Sequence, residues 1–386
     1  ATEEAEVPAK YNEAPMLAER VEAGELPPVD DRLPMTPFVA EGIGGIGNYG
    51  GALRRQSTGE ADTFSRGQVV RRGLTNINHN LDLHTYMAES YEVSDDATEW
   101  TFHLRKGLRW SDGEPMTSED FRFYYEDVAL NRDLTPAHPG VFSSIVEGER
   151  TPAEFSAPDD YTVVYTFSMP KALLHYDGNI VGDSGNVIAP KHFMQEYHPK
   201  YADEADLESG VSDAGLNDWT ELFFQKNDPN QTPERPTHEP WVNQNSYADE
   251  VTIVERNPYF WEVDQEGNQL PYIDRLRFRE AMGPEVALLR AIDGEVDCSG
   301  RHQMQFANYT VLKEYESNGE YTIEVWPQTG TYISCFNMNA KDENLARLFK
   351  ERDFRIAVSL AANREEMNEL LWEGFGRPQQ FSPAPT

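Results

Sequence analysis

Two cysteines, Cys298 and Cys335, are all that 386 residues contain, so the chain can form one disulfide or none, and their spacing matches no zinc pattern. Long apolar runs are missing too. None approaches the roughly 20 residues that a membrane-spanning helix needs, which excludes an integral helical membrane protein. Positive charge is scarce: 33 basic residues, mostly arginine, stand against 67 acidic ones, for a formal net charge of -34. A field of that sign repels phosphate backbones and anionic headgroups, excluding nucleic-acid and polybasic membrane binding. The acidic residues are spread along the chain, as on a solvated surface.

Catalytic signatures are lacking as well. There is no HExxH helix, no GxSxG elbow and no glycine-lysine phosphate loop. The pairs His79/His84 and His192/His198 do not recur with carboxylates at a metal spacing. Asp95-Asp96 and Asp159-Asp160 fall in turns, where aspartate caps its own backbone, so they make no glycosidase pair. Asp264, Glu266 and Asn268 only loosely resemble a calcium loop, with Gly267 at the wrong offset. The expectation is a protein without metal or cofactor that is not an enzyme.

What is present is enough to fold. Hydrophobic residues make up 39% and aromatics 11%, unlike a disordered chain, and the length exceeds one core, so two or three lobes are expected. The polar N-terminus starts without methionine, as a mature chain does after an export signal is removed. Residues 1–50 read as a proline-rich arm around one helix, MLAERVEAGEL, followed by a glycine-rich stretch. That stretch leads into a strand, ALRRQS, and not into a helix, which argues against a dinucleotide fingerprint. From Met87 to Val128 the pattern gives a strand, a turn at Ser94–Ala97, a strand alternating Trp100, Phe102 and Leu104, and a turn at Asp112-Gly113. A helix follows, capped by Thr117 with Asp120, whose Phe121, Tyr124, Tyr125 and Val128 share one face.

Further strands are expected at Tyr161–Phe167, VTIVERNP and IDRLRFREA, with the last two flanking the turn DQEGNQLPY. Residues 199–245 read as a long acidic, proline-rich loop. A helix opens at Pro284 and stops at Gly294. YTIEVWP and TYISCFNMN read as strands, and Glu343–Ala361 and Asn363–Trp372 as helices. The mixture indicates α/β or α+β architecture with antiparallel pairs.

Four ordered blocks then carry a resemblance: AESYEVSDDATEWTFHLRKGLRWSDGEPMTSEDFRFYYED, VERNPYFWEVDQEGNQLPYIDRLRFRE, DGEVDCSG and NMNAKDENLARLFKERDFRIAVSLAANREEM. Together they resemble the dipeptide- and oligopeptide-binding family of ABC-importer solute receptors (family 5, cluster C type). The resemblance implies a periplasmic-binding-protein-like fold of two lobes with an extra inserted subdomain. On that basis lobe I spans 51–70 and 186–325, the inserted subdomain spans 71–185, and 326–386 opens lobe II, which stops before its chain returns. It also implies an exported monomer, periplasmic or lipid-anchored at the cell surface, that captures an oligopeptide or oligosaccharide by lobe closure and delivers it to a membrane permease. An extracellular hydrolase and a ligand-free scaffold are the alternatives.

The resemblance places Arg55, Gln56 and Ser57 against the ligand, with Phe142 and Ser143 reaching in from the inserted subdomain. Ser299, Gly300 and Arg301 occupy its lobe-connecting loop. A receptor for chains needs aromatic faces and a few polar groups. Trp326 and Tyr332 are the candidates for stacking, and Gln328, Thr329 and Gly330 for polar contact. Trp100, Trp110 and Trp261 read as core. The opening EAPMLAERVEAGELPPVDDRLP resembles longer members, among which sugar binders occur, while the acidic anchor of peptide binders would come from beyond Thr386.

Overall fold

The computed structural model describes residues 8, 10–59, 62, 72–78, 82–182, 187–300, 305–326 and 335–377. The chain divides into two compact units, Ala1–Met282 and Gly283–Thr386. The first contains α1 (Pro15–Glu22), α2 (Val29–Arg32), β1 (Phe38–Ala40), β2 (Ala52–Ser57), β3 (Thr75–Ile77), β4 (Leu83–Thr85), β5 (Ala88–Val93) and β6 (Glu99–Leu104). It continues with α3 (Ser118–Phe123), β7 (Ser143–Val146), β8 (Glu149–Pro152), β9 (Glu154–Asp159), β10 (Thr162–Thr166) and α4 (Lys191–Met194). Then come α5 (Glu204–Ala214), α6 (Trp219–Asn227), β11 (Trp241–Asn243), β12 (Val251–Arg256), β13 (Glu262–Asp264) and β14 (Arg275–Glu280).

Two four-stranded sheets organise this unit, in the orders β5-β6-β10-β9 and β11-β12-β14-β2. The first is fully antiparallel. Its inward face follows from the period-two pattern of β6: Trp100, Phe102 and Leu104 are 1%, 0% and 1% exposed. Trp110 and Trp261 are equally buried in the same core. The Thr117–Asp120 capping box forms as the sequence indicates. Beyond Phe123 the helix widens into a π-turn over Tyr124–Ala129, and Phe121, Tyr125 and Val128 are buried, with Tyr124 packed against the core. Asp120 also accepts from Lys191 N at 3.0 Å, which fixes α4 against α3.

The second sheet packs Val254, Leu276 and Phe278 with Trp241 and Tyr247. Along β14 the arginines Arg275 and Arg277 point to solvent between them. The arm is fastened by buried Arg32, which donates to Pro27 O at 2.9 Å, to Pro258 O, to Gln269 Oε1 and to the Glu13 carboxylate. β1 pairs parallel with β13, a contact between distant segments that the local turn reading of DQEGNQLPY misses. Within that turn Asp264 accepts from the backbone N–H of Glu266 and Asn268 at 2.8 and 2.9 Å and from Tyr272 Oη at 2.5 Å. Its oxygens are therefore occupied by hydrogen bonds that shape the turn. Half-buried Arg72 pairs with the buried Glu262 at 2.9 Å, and Tyr86 donates to the same carboxylate.

The expected loop at 199–245 contains two helices instead. Asp218 caps α6 by accepting from Thr220 N at 2.8 Å and Glu221 N at 3.1 Å, and Gly215 (φ 68°) ends α5. These end signals were present, but acidic and proline-rich surroundings obscured them; Leu207, Leu222 and Phe223 are the buried residues that hold the pair in place.

The second unit is helical in its described part: α7 (Pro284–Ile292), α8 (Tyr309–Glu314), α9 (Glu316–Gly319), α10 (Glu343–Lys350), α11 (Arg352–Ala361) and α12 (Arg364–Trp372). α7 stops before Gly294 (φ 69°) as expected. The single helix expected over Glu343–Ala361 is broken at Glu351, whose backbone is extended. Residues 321–326 do not form the strand read from YTIEVWP, and 335–337 have no regular structure. A strand needs a partner to satisfy its backbone groups, and no strand pair is present among the described residues of this unit. The division into units falls at Met282, ahead of the expected lobe entry at Trp326. No described helix is long and apolar enough to cross a membrane.

Candidate ligand-binding site

β2 lies at the edge of its sheet and runs parallel to β14, with Gln56 opposite Arg279 and Ser57 opposite Glu280. Their carboxyl ends therefore emerge together. In open sheets this is where ligands bind, because side chains and loop amides converge beyond the strand ends. The first half of β2 is mostly exposed, yet Arg55, Gln56 and Ser57 are 7%, 4% and 4% exposed. Three consecutive buried polar residues break the alternation of a half-buried strand and carry a desolvation cost unless they are engaged.

The backbone around them is fixed. Ser57 O accepts from Ala281 N at 2.8 Å, tying the two strand ends together. Next, Thr58 N donates to Asp62 Oδ2 at 3.2 Å and Asp62 N donates to Gly59 O at 3.0 Å. Gly59 has φ 119°, a conformation that side-chain-bearing residues rarely adopt. Asp62 is itself buried. The result is a cluster of amide, hydroxyl, guanidinium and carboxylate groups at one sheet end, immediately before the chain leaves this unit at Met282. Such a set can orient a polar solute through hydrogen bonds. Among the described residues no group of three or more metal-ligating side chains converges.

Phe142 and Ser143 lie elsewhere in the first unit and face inward. Phe142 is 2% exposed, with its ring 5.3 Å from Tyr125 and 5.2 Å from Tyr165, and Ser143 Oγ donates to Pro139 O. The structure thus uses this pair to seat the short turn that enters β7, because its aromatic neighbours draw the ring into the core; it does not present them as groups reaching outward. In the second unit, Gly300 is exposed and Ser299 half-buried. Trp326 is 78% exposed, with its indole N–H donating to Glu324 at 3.0 Å. Arg301, Gln328, Thr329, Gly330 and Tyr332 lie outside the described residues. Cys298 and Cys335 are both exposed free thiols. Asp62 was missed in the sequence, where a lone aspartate five residues beyond a strand carries no pattern of its own.

The mixed sheets and helices belong to a periplasmic-binding-protein-like fold, as superposition on a solved structure shows. The structure of an oligopeptide-binding protein OppA superimposes with a TM-score of 0.80 at 37% identity, covering 97% of this chain and 59% of that one. The structure of MelB from Agrobacterium fabrum C58, in complex with stachyose, shares the fold at a TM-score of 0.69 and 23% identity, covering 95% of this chain and 56% of that one. Among curated proteins, the periplasmic alpha-galactoside-binding protein of Rhizobium meliloti is 27% identical over 95% of this chain and 54% of its own length. OppA of Escherichia coli K12 is 29% identical over 48% of this chain and 35% of its own. The profile of bacterial extracellular solute-binding proteins, family 5 Middle, matches residues 82–386. The chain belongs to that family. It spans about half the length of the curated relatives it matches over most of its own.

Proposed function

We propose that this protein is the extracytoplasmic solute receptor of an ABC importer, capturing an oligosaccharide or oligopeptide and delivering it to a membrane permease. The observation that carries the reading is the run Arg55–Gln56–Ser57, buried and polar at the carboxyl end of β2, in a chain of family 5. In this reading Gln56 and Ser57 contact the ligand, with Gly300, Arg301, Trp326, Gln328, Thr329, Gly330 and Tyr332 supplying the remaining polar and stacking groups. Phe142 and Ser143 support the subdomain from within. The two lobes close on the solute by hinge motion, as in other two-lobed receptors. The protein acts outside the cytoplasm as a monomer and catalyses no reaction; the relatives named above are themselves binding proteins.

Both solute classes have support. The alpha-galactoside-binding relative aligns along nearly the whole chain, whereas the higher structural identity is to an oligopeptide binder. A thermal-shift screen of the full-length protein against stachyose, raffinose and short oligopeptides tests the reading. A ligand at 100 times its dissociation constant stabilises by about 2.7 kcal/mol, so one class is expected to raise Tm by several degrees. Equal Tm with every compound, or turnover of any of them, contradicts the proposal.

A further inference from the structure

We infer that Asp62 is the positioning residue of this site, an assignment that rests on the receptor reading above. A ligand gains affinity from groups already held in the bound geometry, because the ordering cost has been met in advance. Gln56 and Ser57 are held by the β14 ladder, with Ala281 N on Ser57 O as its last rung. Beyond that rung, among the described residues, no strand pairing supports the backbone of Thr58 and Gly59. The Asp62 carboxylate takes over there: it accepts from Thr58 N at 3.2 Å, and its own N–H donates to Gly59 O at 3.0 Å.

Two further observations favour a positioning role over a surface turn. Asp62 is 7% exposed, and a carboxylate is withdrawn from water at a cost that an ordinary solvated turn does not require. Gly59 has φ 119°, and a Cβ built on it would meet Glu280 Oε1 at 3.4 Å, so the turn passes close to the end of β14. Asp62 thus orients the amides and side chains that end β2 without needing to touch solute itself.

The test compares Asp62→Ala, Asp62→Asn and Asp62→Glu in the full-length protein, using stachyose and trialanine as probes in calorimetric titration and hydrogen exchange of the Thr58 amide without ligand. Asp62→Ala is expected to weaken binding of the active probe at least tenfold and to speed Thr58 exchange. Asp62→Asn keeps an acceptor oxygen and is expected to stay within about threefold of wild type. Asp62→Glu displaces the carboxylate and is expected to resemble Asp62→Ala. Should Asp62→Ala fail to fold, the Glu and Asn variants decide by the same criteria. Unchanged affinity in folded Asp62→Ala or Asp62→Glu overturns the assignment and leaves the receptor reading intact. Equal tenfold losses in Asn and Ala, with Thr58 exchange unchanged, also overturn it, because charge and not position is then at work. A wild type that binds neither probe removes the receptor reading and this assignment with it.

Discussion

The two units of the chain solve the burial problem differently. In Ala1–Met282 the large aromatics are inside: Trp100, Trp110, Trp261, Phe102 and Phe121 are all within 1% of full burial. Among the described residues of Gly283–Thr386 several apolar side chains of the helices are exposed, Leu360 by 78%, Leu370 by 75% and Leu345 by 45%. Small aromatic clusters, such as Phe336, Phe349 and Phe354, hold the second unit. Amphipathic patterning marks an apolar face on the helices of both units; in the first unit that face is covered by strands and helices, and in the described part of the second it is not.

Trp100→Ala sharpens this contrast most strongly. Removing a fully buried indole is expected to cost about 3–5 kcal/mol in denaturant unfolding of the first unit, and a loss under 1 kcal/mol would break the comparison. Arg32→Ala comes next, at about 3 kcal/mol, because it strands the Glu13 carboxylate and leaves Pro27, Pro258 and Gln269 without their donor. Limited proteolysis within residues 10–40 should accelerate in parallel.

A smaller effect is expected at His192, which pairs with Asp112 at 2.8 Å. Burial alone would lower its pKa, but the hydrogen bond and charge of Asp112, with Asp120 and Glu114 nearby, outweigh this and hold it above the usual value. A raised histidine pKa contributes stability that is fully present below about pH 6.5 and fades as pH rises through the folded value. The stability difference between wild type and His192→Gln should therefore be larger at pH 6 than at pH 8.5, by less than about 1 kcal/mol because the pair is partly solvated. An unchanged difference across that range would show the pair to be inert. The smallest effect is expected at Leu360→Ser, within about 0.5 kcal/mol, as for other exposed positions; a large loss would mean that its face is covered in solution.

The same contrast explains what could be read from sequence. Strand β6, the Thr117–Asp120 cap and the helix from Pro284 were legible because each is set by neighbours a few residues away. Pairing of β1 with β13, and of β2 with β14, depends on segments more than two hundred residues apart, which no local period encodes. The π-turn at Tyr124 kept the expected face while changing the helix that presents it. In the candidate site, Gln56 and Ser57 were reached through family resemblance alone, and the strand pattern gave no hint that they would be buried. Asp62 had neither kind of signal. Phe142 was placed by resemblance at a ligand, but its aromatic neighbours Tyr125 and Tyr165 claim the ring for the core.

The central claim is that solute is captured at the carboxyl ends of β2 and β14. Isothermal titration of the full-length wild type and of Gln56→Ala, with whichever of stachyose or trialanine binds, tests it most directly. The account predicts saturable one-to-one binding by wild type and at least a tenfold weaker affinity for folded Gln56→Ala, equivalent to about 1.4 kcal/mol. Equal affinities for the two proteins would contradict it.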